Sequence, residues 1–162
     1  MIETSKIIIR KANIPKELIR KGILNLEAKI SSMPEAMFGD DVGELKHSFG
    51  DGLYIRELTV PKGLLIVTKI HKKSHPYFLL KGDCSILTDE GIIRIKAPYS
   101  GITKPGTKRV VYTHEDTIWT TVHLNIDNIT DLLEIEEEII AKNFDECFPT
   151  NEEILKLTEA KI

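Results

Sequence analysis

Two closely spaced histidines are the residues of this sequence that most clearly indicate a chemical role. His71 and His75 lie on either side of the polar segment 72–74, and neutral imidazole is the commonest side-chain ligand of transition metals. Two imidazoles rarely hold a metal ion alone, so water or a further side chain would have to complete the site. The candidates for that further ligand are His47, Glu57, His114 and His123.

Two basic residues, Lys69 and Arg109, indicate a different chemistry for the same region. If residues 68–71 form a strand, alternation places Lys69 and His71 on one face. In a partly apolar interior, Lys69 and Arg109 would donate charge-assisted hydrogen bonds to a phosphate or a carboxylate. Rings that could cover a base or a sugar are Tyr99, Tyr112 and Trp119. The structural alternative is exposure to solvent or pairing with acidic residues, for which the candidates are Glu57 and Asp116.

The elements that must position these residues divide the chain into three regions. Residues 1–48 are predicted to form a strand, a helix and an arm, residues 49–124 a β-barrel, and residues 125–162 two helices, all in one structural domain. The first helix is expected from Pro15 to Ser31, where apolar residues recur every three or four positions. That apolar stripe should lie on the rest of the domain or on a partner chain.

The middle region consists of short β-rich runs separated by turn residues. The runs are Leu53–Val60, Leu64–Ile70, Tyr77–Leu80, Asp83–Thr88, Ile92–Ala97, Arg109–Tyr112 and Thr117–Leu124. Turns are predicted at residues 60–63, 89–91 and 104–107 from their Pro, Asp and Gly residues, so neighbouring strands are expected to be antiparallel. Towards the end of the chain the apolar residues recur with a helical period, and helix caps are expected at Thr130 and Thr150.

The spacing of the histidines resembles the first sequence block of the cupin superfamily. That block has a glycine, two histidines one residue apart, a glutamate and a glycine. The positions here that match its spacing are Gly63, Lys69, His71, His75 and Gly82. The second block is matched by Lys104-Pro105-Gly106, Arg109 and Thr113. Lys69 therefore occupies the position of the first histidine, and His75 that of the glutamate. Arg109 occupies the position of the histidine in the second block. The resemblance covers residues 49–124, and residues 97–123 look like small single-domain cupins of tailed phages and prophages.

The resemblance implies a mainly β fold, an antiparallel cupin-like jelly-roll barrel with α-helical flanks at both ends. It also implies a degenerate metal motif, because a cation there would meet two positive charges and lose two ligands of the family set. We therefore expect a basic pocket in place of the metal centre and no cofactor. A divalent metal at His71 and His75, with His114 or His123, is the alternative. The resemblance implies no firm activity, so no catalytic residue is named.

The composition is that of an ordinary soluble protein. Of 162 residues, 41% are hydrophobic and 29% are charged, and the net charge of -3 argues against a protein that binds nucleic acid through its phosphates. No run approaches the roughly 18 apolar residues of a membrane span, so we expect a cytoplasmic protein, in the host cytoplasm if it is phage-encoded. Cys84 and Cys147 form neither a metal-spaced pair nor a disulfide framework, and Cys84 is expected to be a small core residue.

Three functional classes follow from these patterns. The first is a binding protein whose basic pocket takes a small anionic ligand; that ligand could be nucleotide-derived, and a phage could use such a protein to sequester a host signal. The second is a metal-dependent cupin enzyme acting on a small molecule. The third is an oligomeric phage structural or assembly protein that uses its helices. Self-association as a homodimer or larger is expected, because a small sandwich needs cover for its edge strands.

Overall fold

Two five-stranded sheets form the centre of the described chain, with one helix in its N-terminal part and one in its C-terminal part. The computed structural model describes residues 8–10, 13–148 and 155–156. Its α-helices are α1 (Lys16–Ser31) and α2 (Leu132–Ile139), and 3-10 turns occupy Gly39–Val42 and Phe144–Glu146. Its strands are β1 (Ile8–Arg10), β2 (Glu44–Gly50), β3 (Gly52–Val60), β4 (Leu65–Val67), β5 (Ile70–His71), β6 (His75–Lys81), β7 (Asp83–Thr88), β8 (Gly91–Lys96), β9 (Tyr99–Thr103), β10 (Val110–Thr113), β11 (Thr117–Asn125) and β12 (Ile140–Ala141).

The strand order is that of an antiparallel jelly roll. Among the described residues, one five-stranded sheet has the order β1-β8-β7-β10-β4 and the other the order β2-β3-β11-β6-β9, while β5 pairs with β12. Four antiparallel pairs are nested within one another along the chain: β7 with β8, β6 with β9, β4 with β10, and β3 with β11. Such nesting in a double sheet defines a jelly roll. The predicted fold class, mainly β with helical flanks, is confirmed.

Alternation along the strands directs one face of each sheet into a shared core. In β6, the first, third and fifth residues are buried and the residues between them are more exposed. The core cluster takes residues from both sheets: Tyr77, Leu79, Cys84, Ile86, Ile95 and Val111. The side chain of Cys84 is 0% exposed, so its prediction as a small core residue is confirmed.

The strands differ from the predicted runs in two places that matter for the site. The run predicted over Leu64–Ile70 is interrupted, because β4 ends at Val67 and β5 begins only at Ile70. The second sheet also starts before residue 49, since β2 pairs with β3 along its whole length. Residues 44–50, for which the sequence shows no sustained period, are therefore a strand held by its neighbour.

The turn predicted at residues 104–107 is present before β10, and its conformation is type II. The N–H group of Thr107 donates to the carbonyl of Lys104 at 3.2 Å, and Gly106 has a φ of 73°. A type II turn requires a positive φ at its third residue, which glycine adopts without steric cost. The Pro105-Gly106 pair therefore sets the direction in which the chain enters β10.

The helices follow the predicted pattern with two corrections. In α1, Ile23 is 2% exposed whereas Leu18 is 59% exposed, so only part of the predicted apolar stripe packs on the rest of the chain. The cap of α2 is Asp131 and not Thr130, because its Oδ1 accepts hydrogen bonds from the N–H groups of the second and third helical residues. The helix predicted from Thr150 lies outside the described residues except for 155–156. None of the helices in the described chain is long and apolar enough to cross a membrane.

The packing of the core predicts a large difference between two adjacent leucines. Leu79 is 0% exposed and Leu80 is 54% exposed. We expect Leu79→Ala to lower the free energy of unfolding by about 2 to 5 kcal/mol, because it removes a fully buried side chain and leaves a cavity. Leu80→Ala is the control and should cost less than about 1 kcal/mol. Urea denaturation measures both, and equal costs would contradict the arrangement of β6.

Candidate metal centre

Three histidines from different elements converge between the sheets. His71 ends β5, His75 begins β6 and His123 lies in β11. The ring centre of His75 is 4.3 Å from that of His71 and 4.3 Å from that of His123. The rings of His71 and His123 are stacked, with their centres 5.5 Å apart. One nitrogen of each ring lies within 4.8 Å of the corresponding nitrogens of the other two. The three imidazoles therefore form one compact group of potential ligands.

The backbone around His71 and His75 fixes the positions of these two rings. β5 pairs with β12, which places His71 opposite Ile140. The carbonyl of His71 accepts a hydrogen bond from the N–H group of Gly106 at 2.9 Å, and the N–H group of Lys72 donates to the carbonyl of Ile139 at 2.8 Å. The first end of the histidine-bearing turn, at residues 71 and 72, is thus tied to two neighbouring segments before the chain enters β6.

The hydrogen bond of His75 determines which of its ring nitrogens is free. Nδ1 of His75 lies 3.3 Å from the carbonyl oxygen of Lys73, and a carbonyl oxygen only accepts, so Nδ1 carries the hydrogen. Nε2 of His75 then has a lone pair, and this atom is buried without a partner, as is Nδ1 of His71. A backbone carbonyl that holds the other ring nitrogen is the usual outer-shell partner of a metal-bound histidine.

The three imidazoles are neutral at physiological pH. Burial, followed by repulsion from His75, His123 and nearby arginines, lowers the pKa of His71 to about 2. Burial is also the main cause that lowers the pKa of His75 to about 4 and that of His123 to about 3. Metal ligation requires the neutral ring, because protonation removes the lone pair. At physiological pH the three rings therefore bind no additional proton, and their lone pairs are available to a metal cation.

A divalent transition metal fits this set of donors. Imidazole nitrogen suits zinc, copper, iron and nickel, whereas calcium and magnesium prefer oxygen ligands. Three protein ligands leave a coordination position open to water or substrate, which is the pattern of catalytic sites. The two unpartnered buried nitrogens supply the structural evidence for this fit, since native proteins rarely leave such atoms without a partner.

Arg109 is buried beside the histidine cluster. Its side chain is 7% exposed, and its Nη2 donates to Oγ1 of Thr103 at 2.8 Å. Thr103 is directly opposite His75 in the pairing of β6 with β9. The guanidinium carbon lies 5.0 Å from the ring centre of Tyr77 and 6.0 Å from that of Trp119. Burial lowers the pKa of Arg109, but a guanidinium stays charged in proteins, so the site holds a positive charge.

Lys69 lies outside the histidine cluster, contrary to the expectation from the sequence. Its ammonium group pairs with the carboxylate of Glu136 on α2, and its side chain is 55% exposed. Residues 68 and 69 lie between β4 and β5, so the alternation that would have placed Lys69 beside His71 is interrupted. We therefore exclude Lys69 from the candidate site.

The aromatic candidates divide between the interior and the surface. Trp119 stacks on Tyr77, with ring centres 4.7 Å apart and planes at 5°. The ring centre of Tyr99 lies 6.2 Å from that of Tyr77. Tyr112 instead is 40% exposed and contacts the ring of His114 edge-on at 4.9 Å. Trp119 and Tyr99 thus lie with Arg109 around Tyr77, whereas Tyr112 does not.

The other candidate metal ligands have partners elsewhere. Nε2 of His114 lies 2.8 Å from Oγ of Ser85, and Nδ1 of His47 lies 2.7 Å from the hydroxyl of Tyr54. Glu57 accepts a hydrogen bond from Thr120 at 3.3 Å. Of the possible third ligands named from the sequence, the structure places only His123 in the group with His71 and His75.

Two residues of the site were absent from the sequence-based set. Thr103 anchors Arg109, and Tyr77 provides the ring beneath it. Tyr77 begins a run that was predicted as a strand, but that run did not include His75, so alternation could not relate the two side chains. In the structure β6 begins at His75, and both residues are buried in it. Thr103 lies outside every run predicted from the sequence, so no signal marked it.

The fold and the site together are those of an antiparallel jelly roll with a candidate three-histidine metal centre between its sheets. No protein-family model matches the sequence, and no curated protein matches it.

Several solved structures resemble the fold at low sequence identity. A cupin-2 domain-containing protein from Shewanella frigidimarina is 9% identical with a TM-score of 0.43, and the match covers 66% of this chain and 99% of that one. A predicted oxalate decarboxylase from Thermotoga maritima is 16% identical with a TM-score of 0.43, over 51% of this chain and 80% of that one. An acetylacetone dioxygenase from Acinetobacter johnsonii is 19% identical with a TM-score of 0.41, over 57% of this chain and 65% of that one.

Proposed function

We propose that this chain is a metal-dependent cupin-type enzyme that acts on a small anionic molecule. His71, His75 and His123 would hold one divalent transition metal, and Arg109 would bind the anionic group of the substrate. The observation that carries this proposal is the pair of buried ring nitrogens without partners, Nδ1 of His71 and Nε2 of His75. Leaving a buried acceptor unpaired costs about 1 to 3 kcal/mol, and a bound metal would remove that cost.

The position of Lys69 bears on whether the site binds a metal ion or is a basic pocket that binds an anion without metal. The sequence favoured a basic pocket without metal because Lys69 and Arg109 were both expected beside His71. Lys69 instead pairs with Glu136 outside the cluster, so one of the two opposing positive charges is absent. His123 supplies the third ligand that the sequence left unassigned. Both changes favour the metal-dependent alternative over a basic pocket alone.

The charge of the site supports an anionic substrate. Three neutral imidazoles leave the charge of a divalent cation uncompensated, and Arg109 adds a further positive charge. Among the described residues, the metal-ligand group contains histidine only, without a carboxylate. When bound, such a cation acts as a Lewis acid or activates a water molecule. Arg109, held by Thr103 and by the face of Tyr77, would orient the anionic group beside it.

Metal analysis of the purified full-length protein tests the proposal. We expect about one zinc, iron, nickel or copper ion per chain, or one equivalent of cobalt(II) taken up after treatment with a chelator. The visible absorption of cobalt(II) would report nitrogen ligation. Protein that neither retains a metal nor binds cobalt(II) in a one-to-one ratio would overturn the proposed function. The nucleotide-derived ligand, the phage origin, the self-association and the cytoplasmic location stay predictions.

A further inference from the structure

A cavity lies on the route between Arg109 and the protein surface. Its volume is about 340 Å³, and it is bounded by α1, the β7–β8 hairpin and the turn that follows β9. Arg109 and Tyr77 line this cavity, and none of the three clustered histidines does. Arg109 therefore belongs to two environments, because it lines the cavity and its charge also lowers the pKa of His71 and His75.

The cations around the cavity differ in whether they are already neutralised. Arg20 pairs with Asp89 at 2.6 Å, and Lys104 pairs with Glu90 at 2.9 Å. Lys16 also approaches Glu90, at 3.7 Å. In the described chain, Arg109 has Thr103 as its hydrogen-bond partner and takes part in no ion pair. Lys16 and Lys104 share one carboxylate at the exposed rim, whereas Arg109 is the buried cation of the cavity and has no carboxylate partner among the described residues.

The walls of the cavity are largely apolar. Aliphatic and aromatic side chains that line it are Ile86, Ile93, Ile102, Tyr77 and Phe148. Phe148 is packed directly on the backbone of Gly106, since a Cβ at Gly106 would lie 2.2 Å from the Phe148 ring. The guanidinium of Arg20 covers the same ring at 4.5 Å. These contacts keep an aromatic wall next to the turn, so the cavity combines an apolar body with one unpaired cation.

We propose that this cavity binds a small carboxylate with an apolar body, whose carboxylate contacts Arg109 and whose body packs on the isoleucines and Phe148. The volume lies at the lower end of the roughly 300 to 1,000 Å³ of ligand pockets, which suits a molecule of about one ring with a short side chain. The inference deepens the proposed function by naming the substrate class, and it rests on that function only for the role of Arg109.

Binding of simple carboxylates to the metal-free full-length chain tests this inference. The probes are phenylacetate, cyclohexanecarboxylate and hexanoate, with phenylacetamide as the uncharged match of phenylacetate and inorganic phosphate as the polar anion. We expect at least one carboxylate to bind one-to-one by calorimetry. Its contacts should shift the NMR methyl signals of Ile86 and Ile93. Phenylacetamide and phosphate should bind at least about tenfold more weakly than the best carboxylate, because one charge-assisted contact is worth at least 1.4 kcal/mol.

Variants of two arginines assign the contact. Arg109→Met should weaken carboxylate binding at least about tenfold, whereas Arg94→Met should leave it unchanged, since Arg94 pairs with Asp83 away from the cavity. If Arg109→Met fails to fold, the affinities of the unaltered chain for phenylacetate and phenylacetamide are compared instead. That comparison shows whether the carboxylate charge contributes to binding. Equal binding of those two compounds, binding that survives Arg109→Met, preferred binding of phosphate, or no binding of any carboxylate would each overturn the inference.

The two proposals fail separately. A chain that takes up no metal but binds a carboxylate through Arg109 would refute the metal-dependent function and support the cavity. A chain that binds one metal ion but none of the carboxylates would refute the cavity and leave the metal centre supported. Chelator treatment before calorimetry ensures that a carboxylate bound to the metal is not mistaken for one bound to Arg109.

Discussion

Replacing His75 by alanine is expected to lower the affinity of the chain for zinc by at least about 100-fold. The reason is geometric, because Nε2 of His75 is buried without a partner and its ring centre is 4.3 Å from those of both other histidines. Loss of an outer-shell partner alone costs about 10- to 100-fold in metal affinity, and loss of a ligand should cost more. Competition with a chromophoric zinc chelator measures the affinity.

His114→Ala is the matched control for that experiment. His114 is also a partly buried histidine, in the connection between β10 and β11, but its Nε2 contacts Ser85 and not the cluster. We expect its zinc affinity to stay within about threefold of that of the unaltered protein, since no ligand is lost. Equal losses in the two variants would indicate a general effect on folding, and an unchanged affinity of His75→Ala would exclude the three-histidine site.

The parts of the site that depend on local chain geometry could be predicted from the sequence. The spacing from Gly63 to Gly82 fixes a strand, a short turn and a second strand, and this arrangement brings His71 and His75 together. Glycine and proline determine such turns through their own backbone preferences. The nested pairing of β3 with β11 has no comparable local signal, because the strands are far apart in sequence, and only the family resemblance anticipated it.

The error at Lys69 has a specific physical cause. Alternation predicts the facing of a side chain only while the strand continues, and here the strand stops at Val67 and resumes at Ile70. Of the two residues in the gap, Thr68 stays hydrogen-bonded to the backbone of Arg109, whereas Lys69 is exposed and pairs with Glu136 on α2. A helix more than 60 residues later in the chain cannot be placed beside Lys69 by any local pattern.

His123 could not be assigned because both faces of its strand looked similar. In β11, Trp119, Thr121 and His123 share one face, and Ile118, Thr120 and Val122 share the other. Each face combines bulky and polar residues, so hydrophobicity alone does not choose between them. The choice is made by β6, which lies beside β11 and carries Tyr77, the partner on which Trp119 stacks. Packing between strands, rather than the pattern within one, therefore brings His123 into the candidate metal centre.

The metal-free protein is expected to lose several kcal/mol of stability between pH 7 and pH 5. A histidine in the unfolded chain titrates near 6.5, whereas the folded chain holds the pKa values of His71, His75 and His123 at about 2, 4 and 3. As the pH falls below 6.5, the unfolded state takes up protons that the folded state does not bind. The free energy of unfolding must therefore decrease.

The slope of that decrease reports the number of buried neutral histidines. Each contributes about 1.4 kcal/mol per pH unit once the pH is well below 6.5, so three approach about 4 kcal/mol per unit. Urea unfolding in chelator, followed through the single tryptophan Trp119, measures the slope. His123→Gln should reduce it by about one third. The paired carboxylates of Asp83 and Glu90 have lowered pKa values and contribute only below this pH window. A stability that stays constant from pH 7 to pH 5 would show that the three imidazoles are not buried together, because a solvated histidine has nearly the same pKa in both states.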